Sequence, residues 1–157
     1  MILDSFLQFS DSQAVTASAV GTNVISLVED KAMGVGEPLA VVFTVEVAAD
    51  QTTGDEDYTF DVEYASNAGQ STARQLIGRR IFESGTPGAP AQNADLLIVG
   101  FNFVIPIPPT ELSESELFLG IRYVTAGTSP TITCSAHLVP TSFIPKNLIY
   151  ADSIVIS

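Results

Sequence analysis

In "YTFDVEYA", Tyr58, Phe60, Val62 and Tyr64 fall on one side of an extended chain, while Thr59, Asp61 and Glu63 fall on the other. A helix would scatter these residues around its circumference, whereas a half-buried antiparallel strand requires this period of two. The pattern recurs in "LAVVFTVEVA", where Leu39, Val41, Phe43, Val45 and Val47 share a face opposite Thr44 and Glu46. It recurs again in "ELFLGIRYVT", with Leu117, Leu119, Ile121 and Tyr123 opposite Gly120 and Arg122. In "TITCSAHLV", Ile132, Cys134, Ala136 and Leu138 oppose Thr133, Ser135 and His137. Alternation of this kind commits the chain to sheets with one face packed on a core.

Further candidate strands span residues 23–28, 75–82, 94–105 and 148–156, with a Ser/Thr-rich extended piece at 13–20. Turn formers separate them: "GVGEP", "ADQTTGDED", "SNAGQS", "ESGTPGAPAQN", "PIPP" and "AGTSP". No long amphipathic helix competes, although Ser113 and Glu116 have the spacing to cap a single helical turn. The expectation is an all-β, jelly-roll or other Greek-key β-sandwich of about eight strands. With 157 residues the chain fits one domain, large enough to bury about 70% of its unfolded surface. Within residues 1–157, an extended N-terminal arm is expected at 1–12 and a C-terminal tail or added strand at 140–157. Pro106, Pro108 and Pro109 cannot donate ladder hydrogen bonds, so the strand before them should end at about Ile105.

Charge narrows the partners. Eighteen Asp and Glu against six Lys and Arg give a formal charge of −12. Phosphate backbones need clustered cations, and only Arg74, Arg79 and Arg80 approach a cluster. Neither nucleic acid nor an anionic membrane is therefore an expected partner. Arg79 and Arg80 must face opposite sides of a strand, and pairing with local carboxylates is the simpler role for this group. The single cysteine allows no internal disulfide and suits a reducing compartment. The opening "MILDSFLQFSDSQ" has no cationic region before its apolar residues and is not expected to act as a secretory signal. No run reaches the roughly 18–20 apolar residues that span a bilayer.

Catalytic chemistry finds little to work with. Cys134 and His137 lie three apart on one expected strand, so they point to opposite faces and should not form a dyad. Cys134 is expected in the core and His137 outside. One histidine is too few for a metal site of cupin type. "GVGEPL" lacks the third glycine and following helix of a dinucleotide loop, and neither GxxxxGK[ST] nor GxSxG occurs. The acids Asp50, Asp55, Glu56 and Asp57 do not match an EF-hand and read as a solvated hairpin tip. The expectation is a protein without enzymatic activity, metal or other cofactor.

The segment "MILDSFLQFSDSQAVTASAVGTNVISL" (residues 1–27) closely resembles the opening of the jelly-roll capsid cement, or decoration, proteins of tailed bacteriophages. "GVGEPLAVVFTV" (34–45), "FLGIRYVTAGTSPTIT" (118–133), the proline stop and a closing strand to Val139 follow in the family's order. The resemblance spans residues 1–139, and the acidic stretch 50–57 and the tail 140–157 depart from the family's pattern. What it implies is a structural protein of the virion, made in the bacterial cytoplasm and bound to the outer capsid surface. Its partners would be the major capsid protein of the same phage and further copies of itself; a homodimer and a homotrimer are both compatible with the family, and the general predominance of two-fold symmetry favours the homodimer.

Three segments are candidates for docking. The first is the arm 1–9, carrying Ile2, Leu3, Phe6, Leu7 and Phe9 beside one charge, Asp4; it either docks on a partner or forms a terminal strand of its own domain. The second is the proline-stiffened loop with Pro106, Pro108 and Pro109. The third is the tail "FIPKNLIYADSIVIS", beginning with Phe143 and Ile144 and able to add a strand within the domain or across a subunit boundary. A different class of function, a carbohydrate- or receptor-binding module on the virion surface, would need an aromatic platform, for which Tyr58 and Tyr150 are available. A subunit of the phage tail or neck would be separated from a cement protein by its copy number.

Overall fold

A computed structural model describes residues 7–27, 32–33, 36–84, 93–111 and 118–144. Its strands are β1 (Gln8–Val15), β2 (Ala19–Val20), β3 (Ile25–Ser26), β4 (Ala32–Met33), β5 (Leu39–Val47) and β6 (Asp57–Ala65). They continue with β7 (Gln75–Glu83), β8 (Asn102–Ile107), β9 (Thr110–Glu111), β10 (Phe118–Ala126) and β11 (Ile132–Pro140). Pairing is nested and antiparallel throughout: β1 with β11, β2 and β3 with β10, β4 with β9, β5 with β8, and β6 with β7. The chain is thus one long hairpin whose tip is the β6–β7 turn. Wrapping that hairpin adds the pairs β5–β11 and β6–β10. The result is a four-stranded sheet β1-β11-β5-β8 facing a second sheet β2-β10-β6-β7, with β3 also on β10. Of the jelly-roll and other Greek-key sandwiches expected, the chain thus adopts the jelly-roll arrangement.

Aromatic rings join the two sheets. Phe43 of β5 and Phe103 of β8 stack at 5.0 Å, and Phe60 of β6 meets Phe103 edge-on at 4.8 Å. Phe60 also contacts Phe43, Phe82 and Tyr123, at 5.4, 5.7 and 5.7 Å. Offset and edge-to-face pairs at such separations add about 0.5–1.5 kcal/mol each beyond their buried area. Tyr123 brings a hydroxyl into this core, and Ser10 of β1 meets it at 2.6 Å, tying the sheets by a polar contact.

Several boundaries differ from the sequence expectation, each for a physical reason. β1 begins at Gln8, so residues 8–12 belong to a strand and not to an arm. β1 is the edge strand of its sheet, and its ladder with β11 is interrupted by register shifts, with Ser12 at φ 45°, irregularities that blunt an exposed edge. β8 runs through Pro106 to Ile107 instead of stopping at Ile105, because it is the edge of its sheet, where proline is tolerated. Residues 94–105 are not one strand: a 3-10 turn occupies Asn93–Leu96 and β8 starts only at Asn102. The piece at 13–20 divides between β1 and β2, and of 23–28 only Ile25–Ser26 is a strand. The expected strand at 148–156 and the capped turn at 113–116 lie outside the described residues.

The acidic stretch is not a hairpin tip. β5 and β6 belong to different sheets, so residues 48–56 cross between them. The β10–β11 turn packs against this crossover through Gly127, at φ +93°, where an added Cβ would stand 2.2 Å from the Asp55 carbonyl oxygen. The aromatic core predicts a sharp contrast in mutational cost. Phe60→Ala should destabilise by about 3–5 kcal/mol, and Leu76→Ser, on the half-exposed outer edge, by about 0.5 kcal/mol or less, both read from urea midpoints.

Candidate functional site

The residues with the greatest chemical potential are engaged in structure. Cys134 is fully buried between the sheets, and burial pushes its thiol up to about 12, so it is not a thiolate at neutral pH. His137 is on the opposite, outer face of β11, as the alternation required. Near it, Glu46 accepts hydrogen bonds from the Ser12 and Ser135 hydroxyls. Among the described residues no group of three or more His, Cys, Asp and Glu side chains is arranged to hold a metal ion. Nor is any helix among them long and apolar enough to cross a membrane.

The acids of the crossover are each held by donors of their own loop or its neighbour. Glu56 is fully buried; its carboxylate takes the amides of Thr53 at 3.0 Å, Gly54 at 2.9 Å and Asp55 at 3.1 Å, and the Thr53 hydroxyl. Asp55 takes the Thr128 amide at 3.1 Å and hydroxyl at 2.9 Å, which fastens the crossover to the β10–β11 turn. Tyr58 does not offer a platform to a sugar. Its ring is buried, and its hydroxyl donates to the Asp50 carbonyl at 2.6 Å and accepts from the Thr131 amide at 3.2 Å. Tyr150 lies outside the described residues.

On the outer face of the second sheet, Asp61 and Glu63 point away from the core as the alternation required, yet both are buried. Arginines cover them. Arg79 grips Asp61 with two bonds of 2.7 and 2.8 Å. Arg122 reaches Glu63 at 2.9 Å and the Gln70 carbonyl at 2.6 Å, and Arg74 reaches Glu63 at 3.5 Å. Gln70 is buried over β10, with its amide oriented to accept from Gly120 N at 2.9 Å and donate to Ile121 O at 3.1 Å. Arg80 instead lies over the Phe82 ring at 5.3 Å. Arg74 and Arg79 therefore pair with local carboxylates, as expected, and with carboxylates so buried that removing one partner leaves a costly unpaired charge.

The topology brings the described docking candidates to one end of the sandwich. Gln8 pairs with His137, Leu39 with Pro140, and Leu39 also with Ile107. The start of β1, the end of β8 and the end of β11 therefore share that end, together with the β4–β9 ribbon. Leu7, Pro106, Pro108, Pro109 and Phe143 are all exposed there. Two candidates are corrected. Phe9 is a core residue with no exposed surface, and Ile144 is buried on the outer face of the first sheet against Ala40 and Val139. The chain turns back there because Thr141 N bonds to the Pro38 carbonyl at 2.9 Å. Ile2, Leu3 and Phe6 lie outside the described residues. A surface that the sequence reading missed stands at the other end, where Val47, Leu96, Ile98 and Val99 are exposed. The length of the apolar run "LLIVGFNFVI" concealed it, since the run was read as one strand.

Acid should loosen this molecule in two stages. Burial lowers the His137 pKa from 6.5 despite Asp11 and Glu46, so the unfolded chain binds its proton first and stability falls as pH drops below about 6.5. Glu46, Asp55 and Glu56 are also lowered: Glu46 by its serine bonds, Asp55 by bonds from Thr53 and Thr128, and Glu56 because hydrogen bonds outweigh the effect of burial. Their stability is present above about pH 4.5 and is lost as pH falls through the lowered values. Thermal melts from pH 7 to 3 should show both stages, and His137→Gln should lack the upper one.

No curated protein matches the chain. A family model described as Bbp16 matches residues 9–137. The match runs from the core residue Phe9 in β1 to His137 in β11 and so takes in both sheets; the chain belongs to the phage-related Bbp16 family.

Proposed function

We propose that this protein is a capsid cement protein, which binds the outer surface of a tailed-phage shell and clamps neighbouring coat subunits against the pressure of packaged DNA. The observation that carries this reading is the convergence of Leu7, Pro106, Pro108, Pro109 and Phe143 at one end of the sandwich. Membership of a phage-related family supports it. The partners in this reading are the major capsid protein of the same phage and a second copy of the chain, with a two-fold dimer as the assembly. The place of action is the virion exterior.

The mechanism needs shape and apolar area and involves no bond making. A strand of nine residues spans about 30 Å, so the two ends of the sandwich can reach different coat subunits. Each contact can be modest by itself. Once one end is docked, the other binds as an intramolecular event, and avidity rises by about 10²–10⁴. The hydrogen-bonded loops and bonded outer faces keep the distance between the ends fixed, which a clamp requires.

Purified protein should bind expanded, cement-free shells of the phage that encodes it, saturably and in near-stoichiometric numbers, and should raise their disruption temperature. Shells equally resistant to heat and low-salt shock with and without it would refute the clamp. Deleting residues 1–6, which leaves Phe9 and β1 intact, should weaken binding while the β-rich circular dichroism spectrum is unchanged.

A further inference from the structure

The end of the sandwich opposite the arm and prolines carries an apolar surface that its own packing does not require. Residues 97–101 run beside residues 45–49: Ala49 N bonds to Leu97 O at 3.0 Å, Gly100 N to Val45 O at 2.8 Å, and Val45 N to Phe101 O at 2.9 Å. Val47 therefore lies across from Ile98 and Val99, at a turn that Gly100 closes with φ +86°. Leu97 is fully buried and Phe101 packs on the core, which accounts for those two residues. Nothing of the kind accounts for their neighbours. Val47, Ile98 and Val99 are 57%, 59% and 67% exposed, and Leu96 is 42% exposed. These are four of the eight large exposed hydrophobics among the described residues. Turn tips in water ordinarily take Gly, Asn, Asp or Ser, so a tip reading Leu-Ile-Val marks a surface that becomes covered.

Charge identifies what covers it. Asp95 adjoins Leu96, Asp50 adjoins Ala49, and the Glu83 amide bonds to Asn93 at the foot of the same turn. Residues 45–57 and 93–101 contain no Lys or Arg. Arg74, Arg79 and Arg122 are held by Asp61 and Glu63 on the outer face of the second sheet. The apolar centre thus has acidic residues beside it and no Lys or Arg within the two segments that build it. A second copy docking here face to face would oppose two sets of these acidic residues, which like-charge repulsion disfavours.

We propose that Val47, Leu96, Ile98 and Val99 form a second docking surface, for a coat subunit presenting an apolar patch rimmed by Lys or Arg. This inference rests on the capsid-binding reading and gives the clamp its other contact. The test uses cement-free expanded shells as probe and compares wild type with Ile98→Asp, Val47→Ser and the control Leu76→Ser. Ile98→Asp should bind about 100-fold more weakly with an unchanged melting temperature, Val47→Ser should also bind more weakly, and Leu76→Ser should match wild type. Wild-type affinity should fall as salt rises. Should Ile98→Asp unfold, Val47→Ser, which leaves the turn untouched, decides alone. If wild type binds and both patch variants bind equally well, the second surface is overturned and the capsid reading survives. Salt-independent wild-type binding overturns the cationic rim. Absence of wild-type binding removes the capsid reading and this inference together. A wild-type dimer in sedimentation that Ile98→Asp converts to monomer overturns the proposal in favour of self-association.

Discussion

The contact on which this fold depends is the ring cluster between its two sheets. Phe43 and Phe103 come from one sheet, Phe60, Phe82 and Tyr123 from the other, and Phe60 touches all four of the rest. In sequence these residues are spread over 81 positions, from 43 to 123. Only the nested hairpin pairing brings them together, so strand register and core packing enforce one another. A slip of one residue would turn a strand's rings outward and its polar side chains inward.

Charge is organised around the same frame. The second sheet's outer face is closed by three arginines over two buried carboxylates, which uses half of the chain's six cations. The crossover acids are held by amides and hydroxyls rather than by cations, so the end of the sandwich that carries them keeps its negative charge. Such a distribution leaves that end able to meet a basic surface.

Much of the fold was legible because its strands obey a period of two, and β5, β6, β7, β10 and β11 emerge close to their expected bounds. What failed depended on partners distant in sequence. Pro106 reads as a stop until β8 is known to be an edge. The burial of Asp61 and Glu63 on an outward face follows only once Arg79 and Arg122 are placed over them. The acidic stretch reads as a hairpin tip because nothing local says that β5 and β6 lie in different sheets. Of the docking candidates, Leu7, Phe143 and the prolines are exposed at one end, while Phe9 and Ile144 are spent on internal packing. The surface around Ile98 was hidden within an apolar run, and only the exposed Gly100 turn reveals it.

In the proposed clamp the molecule is a rigid spacer gripped at its ends. Amide hydrogen exchange on the free and shell-bound protein tests that claim most directly. New protection is predicted in residues 46–51, 93–100 and around Leu7 and residues 106–109, with β6 and β10 already protected in the free protein and unchanged on binding. Protection gained instead across the outer faces of the sheets, with both ends exchanging as before, would contradict it.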